Sequence, residues 1–228
     1  MSRDSVKYIL MADSRIDESE AMESKHLKVI NFLMGINNDW GLDNMKEYQE
    51  PKFGTGLIAS FSLYKKMGKG IKGNIMYGYR RLITDHHSCD DRLWIEFIPT
   101  QSPFKLLIDS VVRKYIKGFK AYILSIYPES LIYTENNIPQ YIRNKLNFRK
   151  DLEFFYPFQY MDDILIGNVF GCTSDEFFRK LQAAKILSEK LEGGVYFRAA
   201  DEIVNLESSL NFNKKVQDAL NVTLPIIN

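Results

Sequence analysis

The chain has 228 residues, of which 45% are apolar and 26% are charged, a balance typical of folded globular proteins. Its 30 basic and 29 acidic side chains leave a net charge of +1, which gives no overall attraction to nucleic acid or to an anionic membrane. Its two cysteines, Cys89 and Cys172, are too few and too isolated for a disulfide framework or a zinc site.

The first part of the chain predicts a strand, a helix and a polar connection. The apolar run Val6–Met11 predicts the strand, and Asp17–Glu20 has the pattern of a capping box that would begin the helix. Apolar residues at helical spacing over Met22–Leu33 predict a buried face, and Gly35 predicts the end of the helix. Turn-forming residues over 37–56 predict a loop.

The middle of the chain predicts two strands, a long helix and a third strand. Asn74–Ile83 and Arg92–Ile98 have the composition and alternation of strands. Pro103 suits the first position of a helix, and Gly118 suits its end. Lys120–Tyr127 then predicts a return to extended structure.

The last part of the chain predicts helices separated by short strands. Thr173 and Glu176 form a capping box, and apolar residues follow on one helical face as far as Leu191. The other predicted elements are a short helix over Pro139–Asn147, strands over Asp163–Ile166 and Val195–Arg198, and a last helix over Leu206–Leu220.

These elements together predict an α+β fold. Because strands and helices alternate only loosely, we expect one mixed or mostly antiparallel sheet with helices packed mainly on one face. No repeat or linker divides the sequence, so residues 1–228 are expected to form a single domain. No apolar run approaches the ~18 residues of a membrane span or forms a signal peptide, which favours a cytoplasmic location.

A polar cluster over Asp85–Asp91 has the composition of a metal site but not its spacing. His86 and His87 are adjacent and would point to opposite sides of an extended segment, whereas zinc ligands usually lie two to four residues apart in two separate segments. We therefore expect a solvated loop, with no bound metal and no other cofactor.

The segment Tyr160-Met161-Asp162-Asp163 resembles the YMDD box of reverse transcriptases. In that family, two adjacent aspartates hold Mg²⁺ for nucleotidyl transfer. The other motifs of the family are missing here, and a four-residue match alone has a high rate of coincidence. A metal-dependent nucleotidyl transferase or nuclease that uses Asp162 and Asp163 therefore stays the alternative to a protein without catalytic residues.

Acidic residues concentrate around the start of the first predicted helix. Asp17, Glu18, Glu20 and Glu23 would complement the positive end of the helix dipole, which is a purely structural role. The other interpretation is an acidic surface that binds a basic protein, such as a nuclease whose cleft is built for phosphate.

Two ends of the chain carry further patterns. The first combines Arg15-Ile16-Asp17-Glu18-Ser19, a helix that ends near Leu33, and Trp40. The second combines Gly193–Phe197 with a final helix that runs to Leu220. Both patterns resemble the immunity protein 52 family of bacterial polymorphic toxin systems, and the predicted helix in the middle of the chain fits that family as well.

This resemblance implies a non-enzymatic immunity protein, made beside a secreted toxin such as a type VI secretion effector. Such a protein binds its cognate toxin in the cytoplasm and neutralises it by occlusion, and a nuclease is one candidate for the toxin. A homodimer is compatible with this role, and no membrane or direct nucleic-acid contact is expected. The expected toxin-binding residues are Arg15, Asp17, Glu18, Glu20, Glu23 and Trp40.

Overall fold

The computed structural model describes residues 6–42, 49–53, 59–78, 80, 86–135, 146–191 and 193–224. Its strands are β1 (Tyr8–Ser14), β2 (Lys52–Phe53), β3 (Ala59–Ser62), β4 (Lys72–Tyr77), β5 (Asp91–Phe97), β6 (Ile123–Pro128), β7 (Phe158–Asp162), β8 (Leu187–Leu191) and β9 (Gly194–Arg198). Its helices are α1 (Met22–Met34), α2 (Phe104–Leu106), α3 (Val112–Phe119), α4 (Ser130–Glu135), α5 (Asp163–Phe170), α6 (Ser174–Ala183) and α7 (Leu206–Leu220). A π-helical turn over Leu107–Val111 joins α2 to α3, and a 3-10 turn over His87–Cys89 precedes β5.

Within the described residues, nine strands form one sheet in the order β2-β3-β4-β5-β1-β6-β7-β9-β8. Every neighbouring pair is antiparallel, so the predicted α+β class and the mostly antiparallel sheet are confirmed. The first strand along the chain lies near the centre of the sheet, where both of its faces are buried. Its Tyr8 hydroxyl donates to the carbonyl of Val204 and accepts from the Val204 N–H at 2.9 Å.

Helices pack on both faces of the sheet, which differs from the expected placement on mainly one face. Side chains along a strand alternate between faces. Leu10 of β1 belongs to the core cluster that contains α1 and α3, whereas Ile9 belongs to a cluster with Leu131 of α4. On the same side as Ile9, α5, α6 and α7 pack against β7 and β9. No helix among the described residues has the length and apolar character needed to cross a bilayer.

The predicted strand over Asp163–Ile166 is instead the first part of α5. The side chain of Asp162 caps that helix by accepting a hydrogen bond from the Leu165 N–H at 2.8 Å. A capping aspartate at this position favours a helix over continued extended structure, because it satisfies a backbone donor that has no partner within the helix.

The helix predicted to reach Leu191 is shorter than expected. It does begin with the predicted capping box at Thr173, but it ends at Ala183. Lys185 then adopts a left-handed conformation at φ 54°, and Leu187–Leu191 forms the edge strand β8. Gly193, at φ 81°, allows the tight turn between β8 and β9. Most of the predicted helix over Pro139–Asn147 lies outside the described residues.

The close contact between α1 and α3 depends on Gly118. A Cβ atom at this position would lie 2.2 Å from the ring of Phe32. We expect Gly118→Ala to lower the free energy of unfolding by about 1–3 kcal/mol, because the two helices must separate to admit the methyl group. Urea denaturation measures this change.

Gly167 in α5 provides the matched control. A Cβ atom there would meet no atom within 4 Å, so Gly167→Ala is expected to raise the unfolding free energy by roughly 0.5–1 kcal/mol. Equal effects of the two substitutions would show that the α1–α3 contact does not depend on the missing side chain.

Candidate functional site

Charged side chains meet at the end of the sheet where β1 and β7 end and β5 begins. Arg92 of β5 makes a bidentate ion pair with Asp13 of β1, with N–O distances of 2.6 and 2.9 Å. Arg80 pairs in the same way with Asp91, at 2.6 and 2.8 Å. Each carboxylate is thus matched by a planar guanidinium, which is the strongest geometry for such pairs.

The most buried of these pairs joins Asp90 to Arg149. The side chain of Asp90 is 1% exposed, and it accepts hydrogen bonds from Arg149 Nε at 3.0 Å and from the Tyr122 hydroxyl at 2.8 Å. Burial raises the pKa of Asp90 above its ordinary value, and the Arg149 guanidinium opposes this rise. We refer to these three pairs as the sheet-end network, whose residues are Asp13, Arg80, Asp90, Asp91, Arg92 and Arg149.

The sheet-end network corrects the prediction of a solvated loop over Asp85–Asp91. Asp90 and Asp91 are buried in ion pairs, and Asp85 lies outside the described residues. His86 contacts Ser88 at 2.9 Å through its Nδ1 atom. Burial lowers the pKa of His87 to about 4, so this imidazole is neutral at physiological pH.

Arg15 and Asp162 meet although 147 positions separate them in the sequence. The Arg15 guanidinium donates to both oxygens of Asp162, at 3.2 Å for Nη2–Oδ1, and lies 4.2 Å from the centre of the Tyr122 ring. Asp163 is directed elsewhere and accepts a hydrogen bond from Ser174 Oγ. Because Asp162 is already held by Arg15 and by the start of α5, the two aspartates do not converge on a common ligand.

Metal chemistry at Asp162 is therefore not favoured by the geometry. Within the described part of the chain, no group of three or more His, Cys, Asp or Glu side chains is arranged to hold a metal ion. The alternative prediction of a metal-dependent enzyme gains no support from these positions.

We expect Asp162→Ala to lower the unfolding free energy by about 1–2 kcal/mol, because α5 loses its cap. Asp163→Ala is the control and should have a smaller effect, since that side chain is exposed. Denaturation measures stability, and calorimetric titration with Mn²⁺ measures metal binding. A Mn²⁺-dependent nuclease activity that disappears in Asp162→Ala would contradict this structural role.

The acidic segment before α1 does not form the predicted capping box. Asp17 instead accepts hydrogen bonds from Ser19, at 2.9 Å from its N–H and 2.6 Å from its Oγ. The helix begins later, at Met22, and has no side-chain cap. Asp17, Glu18 and Glu23 are exposed, so their carboxylates face solvent.

Glu20 differs from the other three acids because its side chain is only 8% exposed and pairs with Lys28 at 2.5 Å. Burial disfavours ionisation of Glu20, but the hydrogen bond from Lys28 and the charges of Lys120 and Lys25 outweigh it, so its pKa lies below the ordinary value. Glu20 is therefore engaged within the protein and is a poor contact residue.

Trp40 belongs to the core and not to a contact surface. Its side chain is fully buried, its indole N–H donates to the Pro103 carbonyl at 3.2 Å, and its ring lies edge-on to Phe97 at 4.8 Å. The Tyr115 hydroxyl also donates to the Trp40 carbonyl at 2.6 Å. Of the predicted binding residues, Trp40 is thus removed by the structure, because a partner cannot reach it.

The sheet-end network was not predicted from the sequence as a cluster. The available signal was the presence of Asp13 and Arg92 inside predicted or adjoining strand segments, where charged residues are rarely buried without a partner. Pattern analysis cannot show which charges pair, because the partners come from distant segments.

Comparison with known proteins gives information on the fold. No family model matches the chain, and no curated protein matches it. Among solved structures, the chain is similar to the Pseudomonas aeruginosa T6SS protein PA0821, with a TM-score of 0.56 and 8% sequence identity. The similarity covers 95% of this chain and 76% of that one. The two proteins share a fold.

Proposed function

We propose that this protein is an immunity protein that binds a cognate toxin of a type VI secretion system in the cytoplasm and neutralises it by occlusion. The main support is the shared fold with a protein whose name assigns it to such a system, over 95% of the present chain. The resemblance of both chain ends to the immunity protein 52 family supports the same role.

The proposed mechanism needs no catalytic group. The charged side chains of the sheet-end network and of Arg15 and Asp162 are engaged with one another. Groups held in this way stabilise the strand ends and the start of α5. A preorganised surface of this kind limits the conformational entropy that is lost when a partner binds.

The start of α1 is the proposed contact for a basic part of the toxin. Asp17, Glu18 and Glu23 are exposed there, and the Arg15 side chain is 26% exposed beside them in sequence. Exposed carboxylates that face a basic cleft raise the association rate and the specificity of binding more than they add to affinity.

Co-expression with each candidate toxin domain encoded by the genes around that of this chain tests the proposed function. The chain should restore growth to cells that produce the toxin domain, and the two purified proteins should form a complex in calorimetric titration. Absence of both protection and binding would refute the proposal.

We expect the triple variant Asp17→Lys, Glu18→Lys, Glu23→Lys to weaken toxin binding by about tenfold or more, mainly through slower association. Glu207→Lys is the control, because Glu207 is also an exposed acid in the first turn of a helix. Replacement of Glu207 removes an acid from the first turn of a helix, as replacement of Glu23 does, so both changes weaken the interaction with the helix dipole in the same way. Surface plasmon resonance measures the rates, and unchanged association in the triple variant would remove these acids from the interface.

A further inference from the structure

The solvent-facing side of α3 carries only basic charge. The helix contains Arg113, Lys114 and Lys117, it is followed by Lys120, and it contains no acidic residue. Arg113 is paired with Glu189 at 2.6 Å. Lys114 and Lys117 are exposed, and neither forms an ion pair within the part of the chain that the structure describes. The helix thus presents positive charge that its own neighbours do not neutralise.

A concave surface of about 360 Å³ lies between α1 and α3, beside these two lysines. Its apolar lining, here called the floor, includes Phe32 and Ile36, and the ring of Phe32 packs directly on Gly118. Lys114 and Lys117 also line this surface, and both are exposed. We refer to this surface as the α1–α3 groove.

A second concave surface lies on the other side of Lys117. It has a volume of about 530 Å³ and is lined by Arg113, Lys117 and Lys120 together with Tyr160 and Leu191. Asp162 also lines it, but this carboxylate is paired with Arg15. Lys117 therefore borders two concave surfaces, both of which combine apolar side chains with cations. This arrangement is suited to a ligand that carries apolar and anionic groups together.

We infer that the α1–α3 groove binds an acidic segment of the toxin, with an apolar side chain of that segment in the groove and its carboxylates against Lys114 and Lys117. The inference rests on the proposed function and names the surface and the chemistry of the partner. Apolar anchors that fill a pocket contribute most to interface affinity, and opposite charges at the rim select the partner.

The composition of the groove favours an acidic protein over a nucleic acid. Surfaces for single strands combine a basic track with exposed aromatic faces on which bases stack. Here the floor contains one aromatic ring, Phe32, which is only partly exposed and lies against Tyr115. The net charge of the whole chain is only +1, so a general attraction to polyanions is also weak.

The basic side of α3 continues into the acidic segment before α1. Hydrogen bonds from Ser19 lower the pKa of Asp17, and the positive charge of Lys120 acts in the same direction. The end of α3 also meets the end of β1, which precedes this segment, because Lys25 Nζ donates at 3.0 Å both to the Phe119 carbonyl and to Ser14 Oγ. The proposed contact surface therefore has negative charge at the start of α1 and positive charge at the α1–α3 groove. The toxin should present positive charge to the first and negative charge to the second.

Charge reversal in the groove tests the inference in the complex with the toxin domain that the co-expression experiment identifies. The double variant Lys114→Glu, Lys117→Glu should bind that domain at least about tenfold more weakly than the wild type. The matched control is Lys180→Glu, Lys214→Glu, which makes the same charge change at exposed positions of α6 and α7 and should keep affinity within about twofold. Circular dichroism verifies that all variants are folded.

The outcomes separate the two proposals. A wild type that neither binds nor protects refutes the proposed function. A wild type that binds, together with a groove variant that binds equally well, overturns the groove inference alone.

A second experiment does not need the toxin. A short synthetic peptide of glutamates around a central phenylalanine should shift the backbone NMR signals of Gly35, Ile36 and Gly118, and its lysine counterpart should not. Shifts caused by a single-stranded oligonucleotide but not by the acidic peptide would overturn the inference, as would the absence of shifts at these residues.

Discussion

Replacement of Trp40 by alanine is expected to lower the free energy of unfolding by about 3–5 kcal/mol. The indole is fully buried and packs on Phe97, so its removal leaves a cavity that the rigid sheet cannot close. The substitution also removes the indole N–H that donates to the Pro103 carbonyl. Chemical denaturation measures the loss of stability. Titration with the toxin, at equal concentrations of folded wild type and variant, should show unchanged affinity.

Trp94 of β5 is the control for this prediction. It is only half-buried, so part of its surface is already in contact with water, and Trp94→Ala should destabilise the protein less than Trp40→Ala. A Trp40 variant of full stability with lost affinity would contradict the core role and return this residue to the interface.

Replacement of Arg149 by methionine is the second large effect, with an expected loss of about 3–5 kcal/mol at neutral pH. The change leaves the Asp90 carboxylate buried with the Tyr122 hydroxyl as its remaining described donor. Methionine keeps much of the length of the arginine side chain, so the loss reports the uncompensated charge rather than an empty volume.

This loss should depend on pH in a defined direction. Burial already raises the pKa of Asp90 in the folded protein, and removal of the guanidinium raises that pKa further. The folded state then binds a proton more tightly than the unfolded state, so stability falls as pH rises above the ordinary aspartate value. The Arg149→Met variant should therefore recover part of its stability as the pH is lowered through the raised pKa.

The double variant Asp90→Asn, Arg149→Met isolates the charge effect. Asparagine removes the ionisable group, so the double variant should be more stable than Arg149→Met at neutral pH and should lack its recovery in mildly acidic solution. Equal pH profiles for the single and double variants would show that Asp90 is not the titrating group.

Periodicity and turn chemistry predicted the long elements well. Helix α7 and the capping box at Thr173 lie where the pattern placed them, because each has a clear apolar face or cap. Helix α1 and strand β1 exist as predicted but with shifted bounds, since α1 begins at Met22 without the capping box at Asp17 and β1 extends to Ser14. Short apolar runs were ambiguous, since a strand and one or two turns of a buried helix need the same residues. Asp163–Ile166 is such a run, and it is helical because the side chain of Asp162 caps the start of α5.

The candidate site was predicted only in part. The exposed acids Asp17, Glu18 and Glu23 could be identified from composition, whereas the pairing of Glu20 with Lys28 and the burial of Trp40 required the fold. The lysines of α3 were not singled out, because their meaning depends on the absence of nearby acids in three dimensions. A linear pattern does not contain that information.

The central position of β1 affects how the protein forms during synthesis. This strand is translated before its partners β5 and β6, which lie much later in the sequence, and Tyr8 contacts Val204 across 196 positions. Such long-range pairing makes folding slow compared with proteins built from local contacts. The sheet can close only after β9 has been translated, so a nascent chain interrupted before α7 lacks the completed core.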